Sequence, residues 1–174
     1  MRNIFVISDT HFSHKNVLTF RDKNGDLIRP GFTDVQDMDE RIIMNWNNTV
    51  KPNDIVYHLG DVAFALHTKP LDRILPRLMG RKRLILGNHD YDAKDYIPYF
   101  EKVMSWRQFG PDMFKYPVIL THFPLHEAAF AYRDGGNGIN IHGHIHEKDE
   151  PSANHRNVSV EKINYTPVAI EDIL

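Results

Sequence analysis

Four stretches of this chain share one design. "NIFVISD", "DIVYHLGD", "RLILGNHD" and "PVILTHF" each set a mostly apolar run of Ile, Val, Leu and aromatic residues ahead of a polar cluster. Runs of this kind suit strands buried on both faces, because a strand with one wet side would alternate apolar and polar residues. Such strands need a layer on each side and deliver their last residues to one edge. The residues so delivered are Asp9, Asp61, the series Asn88, His89 and Asp90, and His122.

Between the first two runs, "DVQDMDERIIMNWNNTV" places Val35, Met38, Ile42, Trp46 and Val50 at steps of three and four, which predicts an amphipathic helix with Asp34 as its cap. A second helix is expected over "KPLDRILPRLMG", kinked or shortened at Pro76, and a third after Asp92 in "AKDYIPYF". The first half thus alternates strand and helix. From about Glu101 the text is strand-like, with Val158, Val160, Val168 and Ile170 in "NVSVEKINYTPVAI", and antiparallel strands are expected there. "TFRDKNGDLIRPGFT" and "HEAAFAYRDGGNG" read as long loops. A length of 174 residues fits a single domain spanning 1–174.

Charge and composition narrow the chemistry. Lys and Arg total 21 against 23 Asp and Glu, so a general grip on duplex nucleic acid or an anionic membrane is disfavoured. Cysteine is absent, which removes disulfides and thiol catalysis and leaves any transition metal to nitrogen and oxygen ligands. The opening apolar run "IFVI" is too short for a leader or a membrane span, and a soluble cytoplasmic protein is expected.

The 11 histidines then stand out. In "IHGHIHEK", His142, His144 and His146 recur at every second position, which in a strand puts all three on one face, either a polar edge or a metal site. Five motifs line up along the chain: Asp9-x-His11, Gly60-Asp61, Gly87-Asn88-His89-Asp90, Thr121-His122 and Gly143-His144-x-His146. Together they offer carboxylate, amide and imidazole ligands enough for two ions sharing one bridging carboxylate, a set suited to two-metal hydrolysis.

On these motifs, "ISDTHF", "YHLGDV", "LGNHD", "THFP" and "HGHIH", the chain resembles the calcineurin-like metallophosphoesterase superfamily, in particular its small bacterial and phage members. The resemblance implies an α/β fold, a four-layer αββα sandwich of two mixed β-sheets flanked by helices, with metals at the sheet ends. It implies that Asp9, His11 and His146 hold one ion, that Asn88, His122 and His144 hold the second, and that Asp61 bridges them. Gly143 would let the backbone turn tightly beside them. His89 would be the catalytic residue that is not a ligand, with Asp90 orienting its ring. The cofactors implied are two divalent ions, manganese by default, with iron, zinc, nickel or cobalt as alternatives.

The activity implied is hydrolysis of a phosphodiester in a small phosphoester or nucleotide substrate, cyclic nucleotides included, by a hydroxide shared between the ions. A phosphomonoesterase and a catalytically silent protein-binding scaffold are the rival readings. "GDVAFALH" lacks the Asp and Arg that the family's protein phosphatases carry after this motif. Outside the motifs, His58, His67 and His142 read as structural or supporting, and His14, His126 and His155 as solvated loop residues. Arg21, Arg29 and Arg133 are the nearest basic groups for a phosphate. Phe12 and Tyr132 suit either base stacking or a core, and Trp106, Phe109 and Phe114 either an interface or a core.

Overall fold

Each of the four apolar runs forms a strand in the computed structural model, which describes residues 3–64, 69–110, 112–130 and 138–174. The strands are β1 (Ile4–Ile7), β2 (Ile55–His58), β3 (Arg81–Ile85), β4 (Lys102–Met104), β5 (Arg107–Phe109), β6 (Val118–Leu120), β7 (Ile139–His142), β8 (His155–Asn157) and β9 (Val168–Ala169). One sheet runs β4-β3-β2-β1-β9 and the other β5-β6-β7-β8. In the first, β1 to β4 are parallel and β9 is antiparallel to β1. Pairing of Ile7 with His58, and of His58 with Leu84, aligns the C-terminal ends of β1, β2 and β3.

Burial on both faces explains the unbroken apolar runs. Phe5, Ile7, Val56 and Leu84 pack on one side of the first sheet with Met38, Ile42 and Trp46 of helix α1 (Val35–Thr49). Val6, Tyr57, Leu59 and Ile85 face the other way, against Val118, Leu120, Ile139 and Ile141 of the second sheet. Asp34 caps α1 as expected, accepting the Asp37 amide at 2.9 Å, while Asp37 accepts the Thr33 amide at 3.1 Å. Phe109 and Phe114 belong to the core between the sheets, whereas Trp106 is exposed.

The second helix, α2 (Lys69–Ile74), gives way at Pro76 to a 3₁₀ turn. The third does not form as a helix. Asp92 caps only a 3₁₀ turn at Ala93–Asp95, and Pro98, which lacks an N–H and disfavours helical backbone at Ile97, stops anything longer. Nor is the second half mainly antiparallel: β6, β7 and β8 are parallel, and among the described strands only β5 and β9 run against their neighbours. The segments between them are long enough for crossovers, which parallel pairing requires.

The outer faces of the two sheets differ. α1 and α2 cover the first, but among the described residues the second carries no α-helix, only a loop with a 3₁₀ turn at Glu127–Ala129. Buried polar side chains tie that loop down. Asn140 donates to the Ile119 carbonyl and the Thr121 hydroxyl and accepts the Leu125 amide. No described helix is long and apolar enough to cross a membrane.

Candidate metal centre

The parallel strands end at one edge, and the loops beyond them carry the motif residues. Asp9 and His11 follow β1, Asp61 follows β2, Asn88 to Asp90 follow β3, His122 follows β6, and His144 and His146 follow β7. Backbone bonds continue past the strand ends and pin these loops together: Asp9 to the Gly60 carbonyl at 3.0 Å, His11 to that of Asp61 at 3.1 Å, and Gly143 to that of His122 at 3.0 Å.

The histidine series is not a strand ladder. Only His142 lies in β7, while His144 and His146 sit beyond it with φ of 70° and 53°. Asp9, His11 and Asp61 are likewise left-handed, at 58°, 48° and 53°. Each such residue costs about 1–2 kcal/mol, a strain that clusters at functional sites. In Asp9-x-His11 the turn, not strand pleating, brings both side chains to one centre, and of His144 and His146 only His146 joins them. Gly143 is absent from the left-handed set. Its role is space, since a methyl there would overlap Asp9 Oδ2 and Ser8 Oγ, just as one at Gly87 would overlap Asp61 Oδ1.

The donor atoms form two groups. Asp9, His11 and His146 bring ligand atoms within 4.8 Å of one another, as do Asp9, Asp61 and His122. Asp61 Oδ2 lies 3.7 Å from His11 Nε2 and 3.5 Å from His122 Nε2, so it faces both sides. His144 stands outside both triads, its ring centre 5.1 Å from that of His122.

Hydrogen bonds orient the inward atoms and leave some of them without a partner. His122 Nδ1 donates to the Leu59 carbonyl at 2.7 Å, which orients the ring so that Nε2 faces Asn88 Oδ1 at 2.9 Å and Asp61 Oδ2 at 3.5 Å. Asp9 Oδ2 accepts the His144 amide and the Ser159 hydroxyl, both at 2.9 Å, whereas Oδ1 is buried without a partner. Neither ring nitrogen of His11 has a hydrogen-bond partner. Unmet buried acceptors facing one another are costly in the absence of a cation, and these residues fit a metal. Burial holds the His11 and His144 imidazoles below their ordinary pKa, helped by the Arg29 charge at His11 and by His122 at His144, which favours the neutral ligating form.

The bracing of these residues departs from expectation in two places. Asp90 does not orient His89. Its carboxylate accepts the amides of Asp61 (2.9 Å), Val62 (3.1 Å) and Gly87 (2.8 Å), tying two of the loops together, while the His89 Nδ1 partner is the Tyr91 hydroxyl at 3.3 Å. Arg29 does not await a phosphate. It is buried, donates to the carbonyls of Asp9 (2.6 Å) and Thr10 (3.1 Å), and pairs with Glu161 at 2.7 Å.

Glu161 in turn accepts His146 Nδ1 at 2.9 Å, the carboxylate–histidine pairing that sharpens a metal ligand. Burial lowers the His146 pKa, but the Glu161 bond and charge outweigh it and raise the group overall. Sequence reading missed Glu161 and Ser159, which sit in a stretch that looks only like strand; their partners, Arg29 and Asp9, lie far back in the chain. Asp39 on α1 is a third brace, accepting the amide of left-handed Ser13 at 3.1 Å.

The other histidines sort by their contacts. His58 is buried and structural as expected, accepting the Gly60 amide at Nδ1 and bonding Thr10 Oγ1 through Nε2. His142 is buried outside both triads and donates to the Gly143 carbonyl. His155 is no solvated loop residue: it is buried on β8 and bonds Ser152 and the Leu125 carbonyl. His14 is also buried, stacked on Phe64 with ring centres 4.1 Å apart, and His126 is exposed and caps the turn at Glu127–Ala129. Phe12 is core, and Arg21 bonds the Gly25 carbonyl in its own loop. His67, Tyr132 and Arg133 lie outside the described residues.

Comparison with known proteins gives a consistent answer. The family model described as the calcineurin-like phosphoesterase superfamily domain matches residues 1–164. The chain is 36% identical to an uncharacterised protein of Methanocaldococcus jannaschii, over 100% of this chain and 90% of that one. It is 29% identical to the gene 66 protein of Mycobacterium phage L5, over 84% of this chain and 78% of the phage protein. Among solved structures, a protein of unknown function from Aquifex aeolicus aligns with a TM-score of 0.77 at 27% identity, covering 99% of this chain and 98% of its own. A novel archaeal phosphodiesterase aligns at 0.50 and 18% identity, covering 90% and 82%, a likeness of fold.

Proposed function

The chain belongs to the calcineurin-like phosphoesterase superfamily, and we propose that it is a hydrolase using two divalent ions to cleave the phosphodiester bond of a small ester or nucleotide. One observation carries this reading: the donor atoms His122 Nε2, Asn88 Oδ1 and Asp61 Oδ2 converge beside the His11 ring nitrogens and Asp9 Oδ1, which are buried without a hydrogen-bond partner. Asp9, His11 and His146 would hold one ion, Asn88, His122 and His144 the other, and Asp61 both. Nitrogen and oxygen donors without sulfur fit manganese, our choice, and equally iron, zinc, cobalt or nickel. Such ions, when bound, supply Lewis acidity that activates water near neutral pH and offsets charge on phosphoryl oxygens.

The side chains supply position and a proton. The His89 backbone amide donates to Asp61 Oδ1 at 2.8 Å, fixing the shared carboxylate, while its ring, 34% exposed, stands 4.0 Å from Asp61 Oδ2. An imidazole at that place can hydrogen-bond a phosphoryl oxygen or hand its proton to the leaving oxygen. Asp90 holds the amides of Asp61 and Gly87, so it acts through the loops and is a positioning residue.

The test is hydrolysis of bis-p-nitrophenyl phosphate beside p-nitrophenyl phosphate, with manganese added or chelated away. Metal-dependent cleavage favouring the diester is expected, and His89→Ala should keep its metal while losing turnover by roughly 10²–10⁴-fold. Preference for the monoester would redirect the reading to a phosphatase. Undiminished turnover in the variant would remove His89 from the reaction.

A further inference from the structure

A cavity of about 530 Å³ with mostly apolar walls opens beside His122. Its walls include Leu86, Trp106, Ile119, Phe123 and Leu125. Ile119 lies on the outer face of β6, opposite Val118 and Leu120, where a loop stands in place of a helix.

Three observations bear on what it holds. The cleft adjoins the centre directly, for the Phe123 ring lies 4.9 Å from that of His122 and 4.5 Å from that of His144. No charged side chain lines it among the described residues, and its buried hydroxyl is already engaged, Thr121 Oγ1 donating to the Phe123 carbonyl at 2.7 Å and accepting from Asn140 at 2.9 Å. A charged or strongly hydrated alcohol would lose water there without replacement. Finally, two large aromatic side chains border it and stay open to solvent, Trp106 at 58% and Phe123 at 47% exposure, so both rings are accessible to a ligand.

Resting on the phosphoesterase reading above, we infer that this cleft is the subsite for a flat aromatic group of the substrate, a nucleobase or an aryl ring, held beside the ions by Phe123 and Trp106. Rings stack on aromatic faces with little dependence on their hydrogen-bonding edges, so the cleft selects flat, apolar esters over small polar ones. The exposed Gln108 amide and Ser105 hydroxyl at the same cavity offer polar contacts to the edge of such a ring.

Binding tests this without turnover. Methylphosphonate, phenylphosphonate and an acyclic adenine phosphonate share the anionic head and contain no cleavable ester. Titrated into manganese-loaded protein, the two ring-bearing compounds should bind on the order of 10- to 100-fold more tightly than methylphosphonate. That ratio should fall toward one in Trp106→Ala and in Phe123→Ala. Both side chains are exposed, and Trp46 remains as a fluorescent check on folding in the first variant. A larger gain for adenine assigns the subsite to a nucleobase, and a larger gain for phenyl to a simple aryl ester; either supports the inference. Equal affinities in the wild type, a ratio that survives both substitutions, or sedimentation showing the two rings covered by a second copy would overturn it. Failure of the phosphoesterase reading would look different, as absent manganese-dependent cleavage of bis-p-nitrophenyl phosphate in the same preparation.

Discussion

The two sides of the candidate centre are built differently. On the side of Asp9, His11 and His146, the ligands rest on buried charge: Arg29 grips the Asp9 and Thr10 carbonyls, Glu161 joins Arg29 to His146, and Asp39 holds Ser13. On the side of Asn88, His122 and His144, carboxylates hold only backbone amides, Asp90 that of Gly87 and Asp9 that of His144, the His122 ring rests on the Leu59 carbonyl, and an apolar cleft opens beyond Phe123. A charged brace fixes geometry strongly but fills the space around it, whereas a backbone carbonyl fixes a ring and leaves room. The first side is organised to hold, the second to admit.

Asp61 belongs to both sides, and changing it should erase the distinction between them. Its Oδ2 faces His11 at 3.7 Å and His122 at 3.5 Å. Asp61→Asn is therefore expected to lose metal from both sides, with turnover down on the order of a thousandfold or more. Metal analysis and hydrolysis measure this. The metal-free variant should melt no lower than metal-free wild type, because removing one of several clustered buried carboxylates relieves repulsion. Retention of one ion at full occupancy would mean that the sides are independent.

Glu161 serves one side only. Replacing it with Gln keeps an acceptor for His146 but removes the charge facing Arg29, which lies fully buried. Loss of such an outer partner typically costs 10–100-fold in metal affinity, and breaking a buried ion pair about 3–5 kcal/mol of stability. Both losses are expected, the first confined to the Asp9–His11–His146 side. Competitive chelation that releases two ions in separate phases would reveal it, and equal weakening of both phases would contradict the asymmetry.

The division between the two sides also marks how far the sequence could be read. The strands and the motif loops were legible because each run carries its own burial pattern and its own terminal cluster, both local properties. Asp34 and Pro76 were legible for the same reason. Glu161, Arg29 and Ser159 act through contacts between distant parts of the chain, and nothing in "VSVEKIN" distinguishes a brace from a strand residue. Asp90 was placed beside its sequence neighbour His89, but a side chain can bond the backbone of a neighbouring loop as easily, and Asp90 does. The direction of β6 to β8 was misread because β-branched runs mark strands without saying which way they pair.

The smallest effect expected concerns the cost of the charged side itself. Burial raises the Asp39 pKa from 3.8 to about 6, against hydrogen bonds from Ser13 that pull it down. A carboxyl whose pKa is higher folded than unfolded binds its proton more tightly in the folded state. Its contribution to stability is therefore complete below pH about 4 and is lost as pH rises through about 6. Above that range the ionised group costs the fold at most about 3 kcal/mol, at ~1.4 kcal/mol per pH unit between the two values. Asp39→Asn mimics the protonated form and can still accept the Ser13 amide. It should be more stable than wild type by about 1–3 kcal/mol at pH 7.5, or roughly 2–10 °C in Tm, and the gap should close toward pH 4. Thermal melts of both proteins across that range measure the difference, in which protonation of the shared histidines cancels. A variant less stable than wild type at pH 7.5 would mean that the ionised carboxylate supports Ser13 by more than its burial costs, and the charged side would then be stabilising as well as rigid.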